Sequence, residues 1–354
     1  MSIILVTGAS GLVGSEAVSF FCKKKFRVIG IDNNFRKYFF GINGNTNGRR
    51  DELIRNNNNY DHYNIDIRNF NGLEKIFKKY KNNISCVIHS AAQPSHDWSA
   101  KEPMTDFSIN ALGTLNLLEL TKKYAEGSVF IFTSTNKVYG DNPNKIKLIE
   151  KKNRYEVKNN IFFNGVKESM SIDNSIHSIF GASKASADLL VQEYGKNFLL
   201  KTGIFRGGCI TGPNHSGAEL HGFLNYLVKA NINKLKYFIY GYKGKQVRDN
   251  IHSLDLINAF WQFFKKPLCG EVFNIGGGRA NSCSVLEAIK IIEEITRIKM
   301  KFSILKKSRV GDHKWYISNN SKFIKKYNNW NLQFSLRDII SEIVDKNIFY
   351  KKNI

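Results

Sequence analysis

No Cys-x-x-Cys pair, no long apolar run and no basic tail occur in this sequence, and each absence removes a class of protein. The five cysteines, Cys22, Cys86, Cys209, Cys269 and Cys283, are odd in number and unpaired in spacing. That pattern argues against a disulfide framework and a zinc site, and it fits a reducing compartment. Nothing reaches the ~18 uncharged apolar residues that a spanning helix needs, and the run Ile3-Ile4-Leu5-Val6 is too short for a secretory leader. A soluble cytoplasmic protein is expected, with no membrane partner. Acidic residues are scarce against 53 Lys and Arg, giving a formal charge of +23, yet the basic residues are spread from Lys23 to Lys352. Without zinc-finger spacing or a recognition-helix pattern, the excess is a composition bias and not a nucleic-acid face. A positive field of that size still favours a phosphorylated small molecule. Internal repeats and low-complexity linkers are absent too.

What is present is an alternation of short apolar runs with amphipathic stretches. Ser2 to Thr7 suits a buried strand, Leu12 to Lys24 a helix and Phe26 to Ile31 a second buried strand, which together make one βαβ unit. Cys86 to His89 and Val129 to Thr133 suit interior strands, with a helix from about Asn110 to Tyr124 between them. The polar stretch from Asn33 to Asn64 has little periodicity and is expected to be a long surface loop. After about Arg206 the pattern loosens, then regains strand character at Val272 to Ile275 and helical character from Ser284 to Ile298. The expected fold class is α/β: a Rossmann-type doubly wound parallel sheet with a smaller C-terminal substrate-binding part. Residues 1–205 would form the first domain and 206–354 mainly the second, with a segment around 245–277 returning to the main sheet.

Thr7-Gly8-Ala-Ser10-Gly11-Leu12-Val13-Gly14 directly follows the first strand and opens the first helix. Glycines there let the backbone approach a pyrophosphate, and the helix amides face its charge. Asp32, followed by Asn33, ends the second strand, where a carboxylate accepts the ribose hydroxyls of NAD and repels a 2′-phosphate. Arg36 and Lys37 just beyond could accommodate one. Asp66-Ile67 suits an adenine contact, and Ala91-Ala92-Gln93 a path beneath the cofactor; each also suits a plain strand end.

The Gly-x-x-Gly-x-x-Gly spacing, Asp32-Asn33, Asp66-Ile-Arg68, His89-Ser-Ala-Ala-Gln93 and Asn110-Ala-Leu-Gly-Thr114 together resemble the extended short-chain dehydrogenase/reductase family. Its NAD-dependent epimerases and dehydratases act on nucleotide-diphosphate sugars, and the resemblance covers essentially the whole chain. Ser134-Thr-Asn-Lys-Val-Tyr-Gly-Asp141, Gly244-Lys-Gln-Val-Arg-Asp249 and Phe273-Asn-Ile-Gly-Gly277 look most like the branch that epimerises CDP-linked sugars at C2. The resemblance implies that a hydride leaves a sugar carbon and returns to the other face of a transient ketone, without net redox change. It implies that Thr135 bonds the reacting hydroxyl, Lys184 holds the nicotinamide ribose and Asn110 is the structural and relay asparagine. Arg248 would meet the phosphates and Asp312 the nucleotide ribose; an ion pair of Arg248 with Asp249 or Asp255 is the alternative. A 4,6-dehydratase is disfavoured, because Asn136-Lys137 stands where those relatives carry Asp-Glu. A homo-oligomer through helices such as 110–124 and 183–197 is the family analogy.

One departure is decisive for chemistry. Phe180-Gly-Ala-Ser-Lys184 stands where the family carries Tyr-x-x-x-Lys, and none of the 15 tyrosines has a lysine four positions later. Phenylalanine keeps the ring and removes the ionisable group, and loss of a positioned acid/base costs about 10²–10⁴-fold in rate. Asp97, His177, Cys209 and His215 are near enough in motif to be replacements, with His96 and His221 preferred as proton relays beside Thr135. The competing reading is a catalytically silent binder of NAD and a nucleotide sugar.

Overall fold

Ile3–Thr7 (β1) is buried along its whole length, and its unbroken Ile-Ile-Leu-Val run belongs to a strand covered on both faces. It pairs in parallel with Arg27–Ile31 (β2), which pairs in parallel with Tyr60–Tyr63 (β3). On its other side lies Ile84–His89 (β4), itself parallel to Val129–Thr135 (β5). Lys201–Gly207 (β6) and Glu271–Ile275 (β7) complete a seven-stranded sheet of order β7-β6-β5-β4-β1-β2-β3. The order reverses at β1 and β4, and the crevice at the carboxyl ends of such strands is where doubly wound sheets bind ligands. The computed structural model describes residues 2–215, 222–306 and 311–352.

Two compact units divide the chain. The first comprises Met1–Val138, Ser178–Arg206 and Ile257–Phe273, and the second Tyr139–His177, Gly207–Leu256 and Asn274–Ile354. The core of the first is built from sheet and helix residues such as Leu5, Ile29, Val87, Leu117, Phe130 and Val191. Residues 139–177 pack with the second unit, where the sequence places them in the first domain. The reason is a backbone link far along the chain: Val166 N–H donates to the Ile317 carbonyl at 2.7 Å. Of the segment around 245–277, Ile257–Phe273 belongs to the first unit, whereas Val247–His252 lies in a sheet of the second.

In that second sheet, Val247–His252 pairs in parallel with Cys209–Thr211 and Trp315–Tyr316 and antiparallel with Ser282–Ser284. The helix Val285–Thr296 follows immediately and opens with a capping box, in which Ser284 and Glu287 satisfy each other's backbone amides. Its apolar face joins Leu227, Val228, Ile340 and Ile343 in the second unit's core.

The stretch 33–64 is not the long loop its composition predicts. It holds the helices Arg36–Phe40 and Asn47–Asn56, a turn of 3₁₀ helix between them, and β3. The Asn34 side chain organises it, donating to Asn45 Oδ1 at 2.9 Å and accepting from Thr46 N–H at 2.9 Å.

Candidate active site

Gly8 follows β1 in the left-handed region (φ +67°), and a Cβ there would lie 2.8 Å from the Ala91 nitrogen; one on Gly14 would lie 2.0 Å from the Gly8 carbonyl oxygen. Glycine is therefore required at both positions. Gly11 N–H closes the turn on Gly8 O at 3.0 Å, and the helix Leu12–Lys23 begins without an acidic residue in its first turn. The amides of Leu12, Val13 and Gly14 thus open toward an external acceptor. Within the same turn, Ser10 Oγ is buried without a hydrogen-bond partner among the described residues.

Asp32 braces this turn from the end of β2. Its Oδ2 accepts Ser10 N–H at 3.0 Å and its Oδ1 accepts Asn34 N–H at 2.7 Å. Carboxylate oxygens have capacity for further donors. Asn33 donates to Asp66 Oδ2 at 3.0 Å, which joins the ends of β2 and β3. Burial raises the Asp66 pKa, but its bonds with Arg68 and Asn33 outweigh that and leave it below the ordinary range. Ile67 is buried against Gly113, where a Cβ would lie 2.6 Å away. Arg36 lies over the Phe40 ring at 5.0 Å. A polar cavity of about 170 Å³ opens beside Asp32, lined by Ser10, Asn34, Arg50, His62 and Asn64 among others.

Beyond β4, Ala91 and Ala92 are half-buried, while the Gln93 side chain turns inward. Its Nε2 donates to Asp106 Oδ1 at 2.7 Å and its backbone N–H donates to Asn110 Oδ1 at 2.9 Å. Asn110 Nδ2 lies 3.0 Å from Ser183 Oγ, and Ser183 Oγ donates to Asp106 Oδ2. Gln93, Asp106, Asn110 and Ser183 thus form one buried polar network, with Asn110 inside a π-helical turn, Ser108–Leu112, of the kind often found at functional sites. Burial raises the Asp106 pKa, partly offset by these donors and by the Lys184 charge. Asp106 and Ser183 carry no motif signal of their own; their signals are position, one helical turn before Asn110 and next to Lys184.

Lys184 is buried, donates to the Thr133 carbonyl at 2.9 Å and lies 4.1 Å from the Phe132 ring centre. Desolvation pulls its pKa down to about 8 against the opposing charges of Asp188 and Asp106. Two residues on, half-buried Thr135 ends β5, its Oγ1 accepting Lys137 N–H at 3.2 Å. One turn before Lys184 in the helix Ser178–Asn197, Phe180 is buried, and the His96 ring meets it edge-on with centroids 4.9 Å apart.

The family described as NAD dependent epimerase/dehydratase matches residues 4–276. The CDP-paratose 2-epimerase of Salmonella typhi is 33% identical over 355 residues, covering 97% of this chain and 98% of that protein. The UDP-glucuronate 4-epimerase of Thermodesulfobacterium geofontis is 29% identical, covering 100% and 98%. Among solved structures, a Tyr-to-Phe variant of UDP-glucuronic acid 4-epimerase from Bacillus cereus aligns with a TM-score of 0.79 at 26% identity, over 98% of this chain and 99% of that one. It is in complex with UDP-4-deoxy-4-fluoro-glucuronic acid and NAD. The chain belongs to the NAD-dependent epimerase/dehydratase family.

The cofactor of this epimerase/dehydratase chain is NAD, and the residues present fit it. The cradle that a Cβ at Gly8 or Gly14 would fill, and the partnerless Ser10 hydroxyl, suit a pyrophosphate; Asp32 suits ribose hydroxyls.

In the second unit, Arg248 is bonded to Asp312, so the two residues assigned to nucleotide recognition form a pair with each other. The alternative partners are engaged elsewhere. Asp249 is fully buried, accepts Ser318 N–H at 3.0 Å and has its pKa pushed up to about 6 by burial. Asp255 accepts the amides of Gln333 and Phe334. Among the remaining candidates, His177 and Cys209 belong to the second unit. His221 lies outside the described residues, as do Arg309 and Val310.

Proposed function

We propose that the protein is an NAD-dependent nucleotide-sugar epimerase that inverts C2 of a CDP-linked hexose or deoxyhexose through a transient keto-sugar. The observation that carries this reading is local. Lys184 is anchored to the Thr133 carbonyl, two residues before Thr135, in the same unit as the glycine turn and Asp32. The preference for a CDP-sugar at C2 rests on full-length likeness to a CDP-paratose 2-epimerase.

In this reading Gly8, Ser10, Gly11, Leu12, Val13 and Gly14 hold the pyrophosphate and Asp32 the adenosine ribose, with Asn33, Arg36, Asp66 and Ile67 around the adenine end. Ala91 and Ala92 line the cofactor's path. NAD, when bound, supplies the two-electron acceptor and donor. Lys184 orients the nicotinamide ribose, and its cationic form stabilises negative charge developing on oxygen. Thr135 bonds the sugar hydroxyl, while the Asn110 network holds the π-helical turn in place. Arg248 takes the diphosphate, for which a planar guanidinium donating in pairs is suited, and Asp312 the nucleotide ribose. A bound diphosphate would then compete with Asp312 for Arg248.

Residues 1–205 would chiefly serve NAD and 206–354 the sugar nucleotide, in a cytoplasmic homo-oligomer. Five free cysteines agree with a reducing compartment, and no described helix is long and apolar enough to cross a membrane. Calorimetric titration of the NAD-loaded protein with CDP-glucose and UDP-glucose tests the base preference; tighter binding of the CDP-sugar is expected. A silent binder is the second reading, and Phe180 is the observation that favours it. A relative carrying a Tyr-to-Phe change is found holding both NAD and a nucleotide sugar.

A further inference from the structure

Phe180 leaves the reacting hydroxyl without the phenol that the family places there, and the group packed against its ring is an imidazole. We propose that His96 accepts and returns the proton of the reacting sugar hydroxyl, with Ser178 as its positioning residue. This rests on the epimerase reading above.

The juxtaposition has three parts, all within the first unit. The His96 and Phe180 rings meet at 4.9 Å between centroids and 67° between planes, so the imidazole lies beside the ring that would otherwise bear the hydroxyl. His96 Nδ1 is 2.9 Å from Ser178 Oγ, and Ser178 is the first residue of the helix that carries Phe180 and Lys184. Ser178 has φ +62°, an uncommon conformation for a residue with a Cβ and one that concentrates at functional sites. The backbone around His96 is fixed as well: Ser99 Oγ donates to its carbonyl at 2.7 Å, and Gln93 Nε2 donates to the carbonyl of Ser95 at 2.8 Å. The histidine is thereby tied both to the Asn110 network and to the Lys184 helix.

A serine hydroxyl can accept two donors. Ser178 Oγ accepts Gly181 N–H at 3.3 Å; if it also accepts Nδ1–H of His96, the imidazole is held in the tautomer whose lone pair is on Nε2. The step then balances simply. The substrate O–H bond breaks and an N–H bond forms at Nε2, while the C–H pair leaves to oxidised NAD and the O–H pair becomes part of the new carbonyl. When the ketone is reduced from its other face, the proton returns from Nε2 to the oxygen.

Three variants test this: His96→Gln, Ser178→Ala and the double variant His96→Gln/Phe180→Tyr. His96→Gln should bind NAD and CDP-sugar as the parent does while losing roughly 10²–10⁴-fold in turnover. Restoring the phenol in the double variant should recover ~10-fold or more of that loss. Nitrogen-15 NMR of labelled histidine gives a readout independent of turnover: His96 should be the Nδ1–H tautomer in the parent and lose that preference in Ser178→Ala. Retained turnover in His96→Gln, no recovery in the double variant, or an Nε2–H tautomer in the parent would each overturn the assignment. A parent that binds both ligands and inverts neither CDP-paratose nor CDP-glucose overturns the epimerase reading itself, and the base role with it.

Discussion

Arg206 and Asp188 hold each other through two bonds, Nε to Oδ2 at 3.0 Å and Nη2 to Oδ1 at 2.8 Å, with both side chains buried. Asp188 also accepts from Ser134 Oγ and from Gln192 Nε2. One carboxylate therefore joins β5, next to Thr135, to β6 and to the helix that carries Lys184.

Removing one partner strands the other charge in the interior. Arg206→Met should cost about 3–5 kcal/mol of stability, read as a lower urea midpoint at unchanged slope. Arg206→Met combined with Asp188→Leu should recover much of that loss. A single variant as stable as the parent would show that the pair does not hold these elements together.

Gly14→Ala would drive a methyl to 2.0 Å from the Gly8 carbonyl oxygen, forcing the turn and the first helix apart. NAD binding, followed by fluorescence or calorimetry, should be abolished. Gly48→Ala, where a Cβ meets open space, is the control and should bind NAD normally.

Asp32→Ala removes the acceptor of Ser10 N–H together with the proposed ribose contact. Charged hydrogen bonds contribute about 1.5–3 kcal/mol, so the dissociation constant for NAD should rise about 10–150-fold. Discrimination against NADP should fall in parallel, since the repelling carboxylate is gone. An unchanged ratio of the two affinities would contradict the role of Asp32.

Lys184 makes stability depend on pH in a defined sense. Burial pulls its pKa from 10.5 to about 8, so between those values the unfolded chain holds a proton that the folded chain has released. The unfolded state binds more protons there, and the Lys184 contribution to stability rises with pH across that window, levelling off below about 8 where both states are charged. Lys184→Met in the absence of NAD should accordingly exceed the parent in stability most at neutral pH, with the difference shrinking toward pH 10.5. Parallel stability curves for the two proteins would contradict it.

The sequence carried the sheet well, because Ile3 to Val6 and the glycine turn are local signals whose spacing is set by the chain itself. It failed between Asn33 and Asn64, where Asn47–Asn56 has no apolar stripe and the Asn34 side chain supplies the organisation. Long-range backbone pairing also moved 139–177 into the second unit. At the candidate site, only residues inside motifs were nominated by the sequence. Asp106, Ser183 and the Asp188–Arg206 pair were not, since a buried carboxylate is recognisable only by the donors that folding brings around it. His96 stood out in sequence by residue type; its contact with Phe180 came from the fold.

As proposed, the chain epimerises although position 180 carries phenylalanine. Proton NMR of CDP-paratose and CDP-glucose incubated with the NAD-loaded protein reads inversion at C2 directly from the sugar ring couplings. A new set of couplings for a C2 epimer of one of the two is expected, growing to equilibrium without net accumulation of reduced cofactor. Unchanged couplings for both sugars, under conditions where calorimetry shows them bound, would contradict it.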